Sequence, residues 1–181
     1  MNGRMRICFD TETTGLKKTD QVISIALVCV ETGSEYHSLI RASVPTDPRA
    51  QTVHGITAAE LVRAPTWKQV CDEVRDFLRA LGSSYTLHAH NLAFDLRLLR
   101  QSAEAHGGPP MFSAQAVQTA VCTLCLARRS NKSTKASAST KLSAIYRSVV
   151  GTEMPDQHDA LGDARALARI LFLQETSVNG P

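Results

Sequence analysis

Four acidic side chains and one histidine in this 181-residue chain have the types and settings that chemistry would need. Asp10 and Glu12 stand two apart at the end of an apolar run, Met5 to Phe9. On a strand, that spacing turns both carboxylates to the same face. Two like charges there repel unless a divalent cation sits between them, and hard oxygen donors are what magnesium or manganese takes. The isolated pair also has a plainer reading, in which Asp10 starts a turn and Glu12 is solvated. Asp95 opens a helix that follows a short strand, and Asp163 falls in the first turn of the last helix. The helix dipole alone favours an acid at either place. His158, beside Asp156 and Asp159, reads equally well as a surface histidine.

These residues need elements to hold them. Met5 to Phe9 is a strand that ends near Glu12, and Thr13-Thr14-Gly15 supplies a turn. Val22 to Val30 is almost continuously apolar, as a strand covered on both faces should be, and Glu31 to Ser34 turn it into a third strand, Tyr36 to Ile40. A loop over Pro45 to Pro48 leads to a short helix capped by Thr57, with Glu60 at capping-box spacing. Thr66 precedes a longer helix with an apolar stripe through Val70, Val74, Phe77, Leu78 and Leu81, which Gly82 stops. Tyr85 to Ala89 is a strand, and the helix from about Ala93 to Ala105 follows it. A weaker strand is expected around Ala116 to Cys122, and a mobile basic loop over 130–140, which is nearly all Ser, Thr, Lys, Ala and Asn. Lys141 to Val150 and Ala160 to Gln174 are the closing helices. Three strands in a meander, then alternating strands and helices, predict an α/β unit: a mixed five-stranded sheet with helices on both faces.

Composition bounds the answer further. With 43% hydrophobic residues the chain builds one domain, residues 1–175, and a short tail over 176–181. The net charge of +3 is modest, but its distribution is not. No acid occurs between Glu104 and Glu153, a window that holds Arg128, Arg129, Lys132, Lys135, Lys141 and Arg147. That window is either a solvated basic face or a phosphate-contacting one. Five cysteines cannot all pair, which points to a reducing compartment. Cys122 and Cys125 have no second ligand pair at zinc-site spacing, so structural zinc is set aside. The N-terminal apolar stretch is too short for a secretory signal, and no apolar run reaches membrane-spanning length.

Together the local contexts say more than any residue alone. F-D-T-E-T-T-G (9–15), H-N-L-A-F-D (90–95) and H-D-A-L-G-D-A (158–164) occur in that order, with V-H-G-I-T (53–57) and T-L-C-L-A-R (123–128) between them. The chain thereby resembles the DEDD exonuclease superfamily in its histidine branch, over nearly its whole length, with proofreading subunits and stand-alone relatives as the nearest likeness. The resemblance implies a ribonuclease H-like fold and a metal-dependent 3′→5′ exonuclease. It implies Asp10, Glu12, Asp95 and Asp163 as ligands of two divalent cations, Mg²⁺ with Mn²⁺ able to substitute, and His158 as general base. Leu16, His54, Asn91 and Phe94 match substrate-contacting positions, each with a packing or turn alternative. The implied partner is a single strand, DNA ahead of RNA, with a polymerase as a further candidate. Cys122 stands where many relatives carry an acid. The rival classes are an RNA-trimming exonuclease and a non-catalytic binding module on the same fold.

Overall fold

The computed structural model describes residues 4–82, 84–134 and 138–178. Its centre is one five-stranded sheet in the order β3-β2-β1-β4-β5, with β1 at Met5–Thr13, β2 at Val22–Cys29, β3 at Glu35–Leu39, β4 at Tyr85–Ala89 and β5 at Val121–Cys122. The first three strands form the antiparallel meander read from the sequence, while β4 and β5 run parallel to β1. Every residue of β2 is buried, Ser24 included, as its almost continuously apolar run requires.

The alternation along β1 sorts its side chains onto two cores. Ile7 and Phe9 join Trp67, Val70 and Val74 of α3 (Trp67–Leu81) and Leu98 of α4 (Leu92–Ala105). Cys8 faces the other way, with Ala26 and Val28, onto Ala160, Ala164, Leu167 and Ala168 of α8 (Ala160–Val178). Three alanines at that interface let the helix backbone lie close to the sheet. Bidentate pairing of Arg165 with Glu35, at 2.8 and 2.6 Å, fastens α8 to the edge strand.

The capping boxes at Thr57 and Thr66 begin α2 (Ala58–Arg63) and α3 as expected. Other expectations need correction. A helix, α1 (Pro48–His54), starts at the end of the expected Pro45 to Pro48 loop and fills residues given no element: the Asp47 side chain accepts from the Arg49 N–H, and Pro48 suits a first helical position. The strand expected around Ala116 to Cys122 is helix over its first three residues, the end of α5 (Ala114–Gln118), which Ser113 caps, and only its last two, Val121 and Cys122, pair with β4. The basic loop expected over 130–140 begins as helix. In α6 (Thr123–Thr134) an apolar first half carries the helix on through residues 130–134, residues 135–137 lie outside the described residues, and 138–140 are non-helical. Helix α7 spans Leu142–Val150, and α8 runs to Val178, into the expected tail. Among the described residues, no helix is long and apolar enough to cross a membrane.

Candidate active site

The end of β1 is where carboxylates from a strand and two helices come together. Asp10 and Glu12 project from the face of β1 that α8 covers, and Asp163 in the first turn of α8 meets them there. Asp95 approaches on α4 from the opposite side. Its carboxylate, only 2% exposed, accepts a 2.8 Å hydrogen bond from the Thr11 hydroxyl, which alternation turns away from Asp10 and Glu12. A bulge between Glu12 and Thr13 breaks the pairing with β2 at this point. Bulges of this kind re-aim side chains at a strand end.

Electrostatics show how close the acids stand. Burial, then the charges of Asp95, Asp163, Glu12 and Asp159, hold Asp10 well above the usual carboxylate range. Burial and the charges of Asp163, Asp159 and Asp95 push Glu12 up to about 8. Burial raises Asp95 to about 7 against hydrogen bonds from the Thr11 side chain and backbone, and raises Asp163 to about 6 against the pull of His158. The Oδ1 of Asp163 is buried without a hydrogen-bond partner among the described residues. Among the described residues, no three His, Cys, Asp or Glu side chains already have the spacing of a metal cage. The acids are near enough to raise one another's proton affinity. A hard divalent cation suits this donor set: it would satisfy the Asp163 oxygen and reverse the repulsion.

The loop before α8 positions His158, whose side chain is exposed. Asp156 and His158 both take left-handed backbone, at φ 47° and 65°. The loop folds back so tightly that a β-carbon on Gly162 would lie 2.3 Å from the Asp156 carbonyl oxygen. Asp159 secures the turn by accepting from the Gly162 N–H at 3.0 Å. The backbone of His158 hydrogen-bonds to Asp163, so the histidine and the carboxylate share one local frame.

Beside Glu12 opens a cavity of about 360 Å³ lined by Leu16, Lys17, Arg49, Val53, His54 and Phe94, among others. Leu16 is 76% and Val53 55% exposed, so two apolar side chains flank its mouth. Asp20 braces the Leu16 loop by accepting from the Thr14 hydroxyl and the Lys17 N–H, and a β-carbon on Gly15 would meet that carboxylate at 2.6 Å. His54 accepts the Ile56 N–H on Nδ1, which leaves its proton on Nε2, and burial lowers its basicity. The Arg97 guanidinium covers the Phe94 ring at 5.4 Å. Asn91 is exposed in left-handed backbone at φ 75° and does not cap α4 with its side chain. Larger clefts, about 740 Å³ beside α4 and about 450 Å³ among α6, α7 and α8, gather no carboxylate cluster.

All nine residues singled out in the sequence thus lie on the elements around this strand end or its adjoining cavity. Thr11, Asp159 and Val53 are additions. Period-two alternation could have marked Thr11 as facing the other core, and the Asp-x-x-Gly spacing could have marked Asp159 as a cap. Val53 carries no local signal.

The family model for exonucleases of the RNase T type matches residues 7–171. The epsilon subunit of DNA polymerase III from Escherichia coli (strain K12) is 35% identical over 101 residues, which cover 50% of this chain and 40% of that protein. Exonuclease X in complex with 5′ overhanging duplex DNA is a solved structure with 27% identity and a TM-score of 0.66, covering 96% of this chain and 93% of that one. The nuclease domain of 3′hExo, a DEDDh family member bound to rAMP, shares the fold at a TM-score of 0.75 and 20% identity, over 99% and 94% of the two chains. The chain spans half or less of the curated relatives it matches first.

Proposed function

The chain belongs to the exonuclease family, and from that membership we propose that it hydrolyses phosphodiester bonds from the 3′ end of single-stranded DNA or a frayed primer end, releasing 5′-mononucleotides. The observation that carries the proposal is the convergence of Asp10, Glu12, Asp95 and Asp163 at one strand end, with proton affinities raised by burial and by one another. These four would hold two divalent cations, Mg²⁺ by preference with Mn²⁺ as substitute, with Asp10 the ligand most enclosed by the others. When bound, the cations lower the pKa of the attacking water and screen charge on the phosphate and leaving oxygen.

The protein's own groups do the rest. His158, exposed beside Asp163, takes the proton from the attacking water, a general-base role that an imidazole commonly fills. Leu16 and Phe94 hold the terminal base between apolar surfaces, which tolerates any sequence. His54, on the wall of the adjoining cavity, packs against the terminal nucleotide, and Asn91 at the head of α4 contacts the strand. The likeness to an epsilon subunit makes a DNA polymerase the partner to test, with proofreading as the role. Five free cysteines suit a reducing intracellular setting.

The test incubates the purified protein with 5′-labelled single-stranded DNA, the same sequence as RNA, and a mismatched primer end, each with Mg²⁺ or with chelator. The expected result is a ladder shortening one nucleotide at a time from the 3′ end, on DNA faster than on RNA, and abolished by chelator. Internal cuts or chelator-resistant activity would overturn the reaction, and faster RNA trimming would reassign the substrate.

A further inference from the structure

Cys122 and Cys125 lie across the start of α6, the first at the end of β5 and half-buried, the second one turn into the helix and exposed. Their side chains hydrogen-bond to each other, and the Cys122 sulfur also accepts the backbone N–H groups of Cys125, Leu92 and Asn91. Donors from two helix beginnings, α4 and α6, therefore converge on one sulfur. Cys122 thus sits among backbone N–H groups at two helix beginnings, with a second thiol three residues on, one turn away along α6. The other three cysteines, Cys8, Cys29 and Cys71, are buried in the cores.

We propose that Cys122 and Cys125 form a redox-active dithiol that takes a hydroperoxide as oxidant and closes to a disulfide, with Cys122 as nucleophile and Cys125 as resolving thiol. This chemistry is separate from phosphodiester hydrolysis and does not depend on it. Because Cys122 directly precedes α6 and Cys125 lies in its first turn, three residues on, the bond can close without a large backbone movement. Although burial raises the Cys122 thiol, the hydrogen bonds outweigh it and draw its pKa below the ordinary value. Cys125 is raised, chiefly by its hydrogen bond to Cys122, as befits the thiol that keeps its proton. Burial pushes Cys71 up to about 11, which leaves it the poorer nucleophile.

The chemistry balances. The Cys122 thiolate attacks the O–O bond; its sulfur is oxidised to a sulfenic acid, and the peroxide is reduced to an alcohol, or to water if it is hydrogen peroxide. The Cys125 sulfur then attacks the Cys122 sulfur, the S–S bond forms, and the sulfenic oxygen leaves as water with the Cys125 proton. Closing the bond removes the thiolate charge that the Asn91 and Leu92 amides face, so these N–H groups should exchange faster with solvent in the oxidised protein.

The experiment treats the reduced protein with hydrogen peroxide, then denatures, alkylates and digests it with trypsin. Residues 101–128 form one peptide holding Cys122, Cys125 and no other cysteine. The expected result is that this peptide becomes two hydrogens lighter and resists alkylation, at least about tenfold faster than Cys71 is oxidised, and reverts with dithiothreitol. In Cys125→Ser, a change at an exposed position, Cys122 should accumulate as a sulfenic acid trapped by dimedone. Either of two results would overturn the proposal: Cys122 and Cys125 oxidising no faster than Cys71 in the wild type, or no dimedone adduct on Cys122 in the variant.

Discussion

Glu12 and its neighbours are ionisable groups held where ionisation is costly, and that cost is measurable without any substrate. The folded protein binds a proton at Glu12 up to about pH 8, while the ordinary value is 4.5. A carboxyl raised on folding stabilises the protein fully below its unfolded pKa and loses that contribution as pH rises through the folded pKa. Between about pH 7 and 8, where unfolded histidines are mostly neutral and thiols mostly protonated, the melting temperature of the metal-free protein should therefore fall. Glu12→Gln should flatten the decline, and so should Mg²⁺ added to the wild type; a pH-independent wild type would refute the coupling. His158→Ala should lower kcat by about 10²- to 10⁴-fold with little change in melting temperature, because the ring is exposed and general-base catalysis is worth that much. At this scale the sequence was most informative, since the carboxylates and the histidine sit in short contexts that survive without a structure. Their altered proton affinities were not legible, because these arise between residues as far apart in the chain as Glu12 and Asp163.

The elements turn those residue types into a site, and two small features on them can be tested. Thr11 on β1 donates to buried Asp95 from the face opposite Asp10. Thr11→Val should cost about 1.5–3 kcal/mol in urea denaturation, the range for a hydrogen bond to a charged group, and should raise the Mg²⁺ concentration needed for half-maximal activity. Unchanged metal dependence would mean that Thr11 merely packs. Gly162 on α8 is the second feature: its Ala variant must displace the Asp156 carbonyl and with it the loop that carries His158. We expect a loss of about 1–3 kcal/mol from overpacking and a fall in kcat, with an intact circular dichroism spectrum. A variant with wild-type kcat would detach Gly162 from the placement of His158. Long periodic segments such as β2 and α3 were legible in the sequence because burial dictates their pattern. The helix α1 and the extended α6 were not: Asp47-Pro48 looks like loop punctuation until the cap is seen, and the polar second half of α6 has no apolar stripe to announce a helix.

At the scale of the molecule, positive charge is uneven. Arg128 and Arg129 lie exposed on α6, on the stretch that has no acid between Glu104 and Glu153. If this face follows the phosphate backbone, the double variant Arg128→Ala with Arg129→Ala should reduce the slope of log affinity for single-stranded DNA against log salt by about 1.4, at about 0.7 for each phosphate no longer neutralised. An unchanged slope would make these arginines a solvated face. The sheet order also sets the route by which the site is assembled. Asp10 and Glu12 enter the fold with the first strand, Asp95 with a helix halfway along, and Asp163 only with the last helix to dock. A chain emerging from the ribosome therefore carries most of its acids long before it can hold them in register with Asp163. A site divided in this way between β1 and α8 stays incomplete until α8 has docked on the sheet.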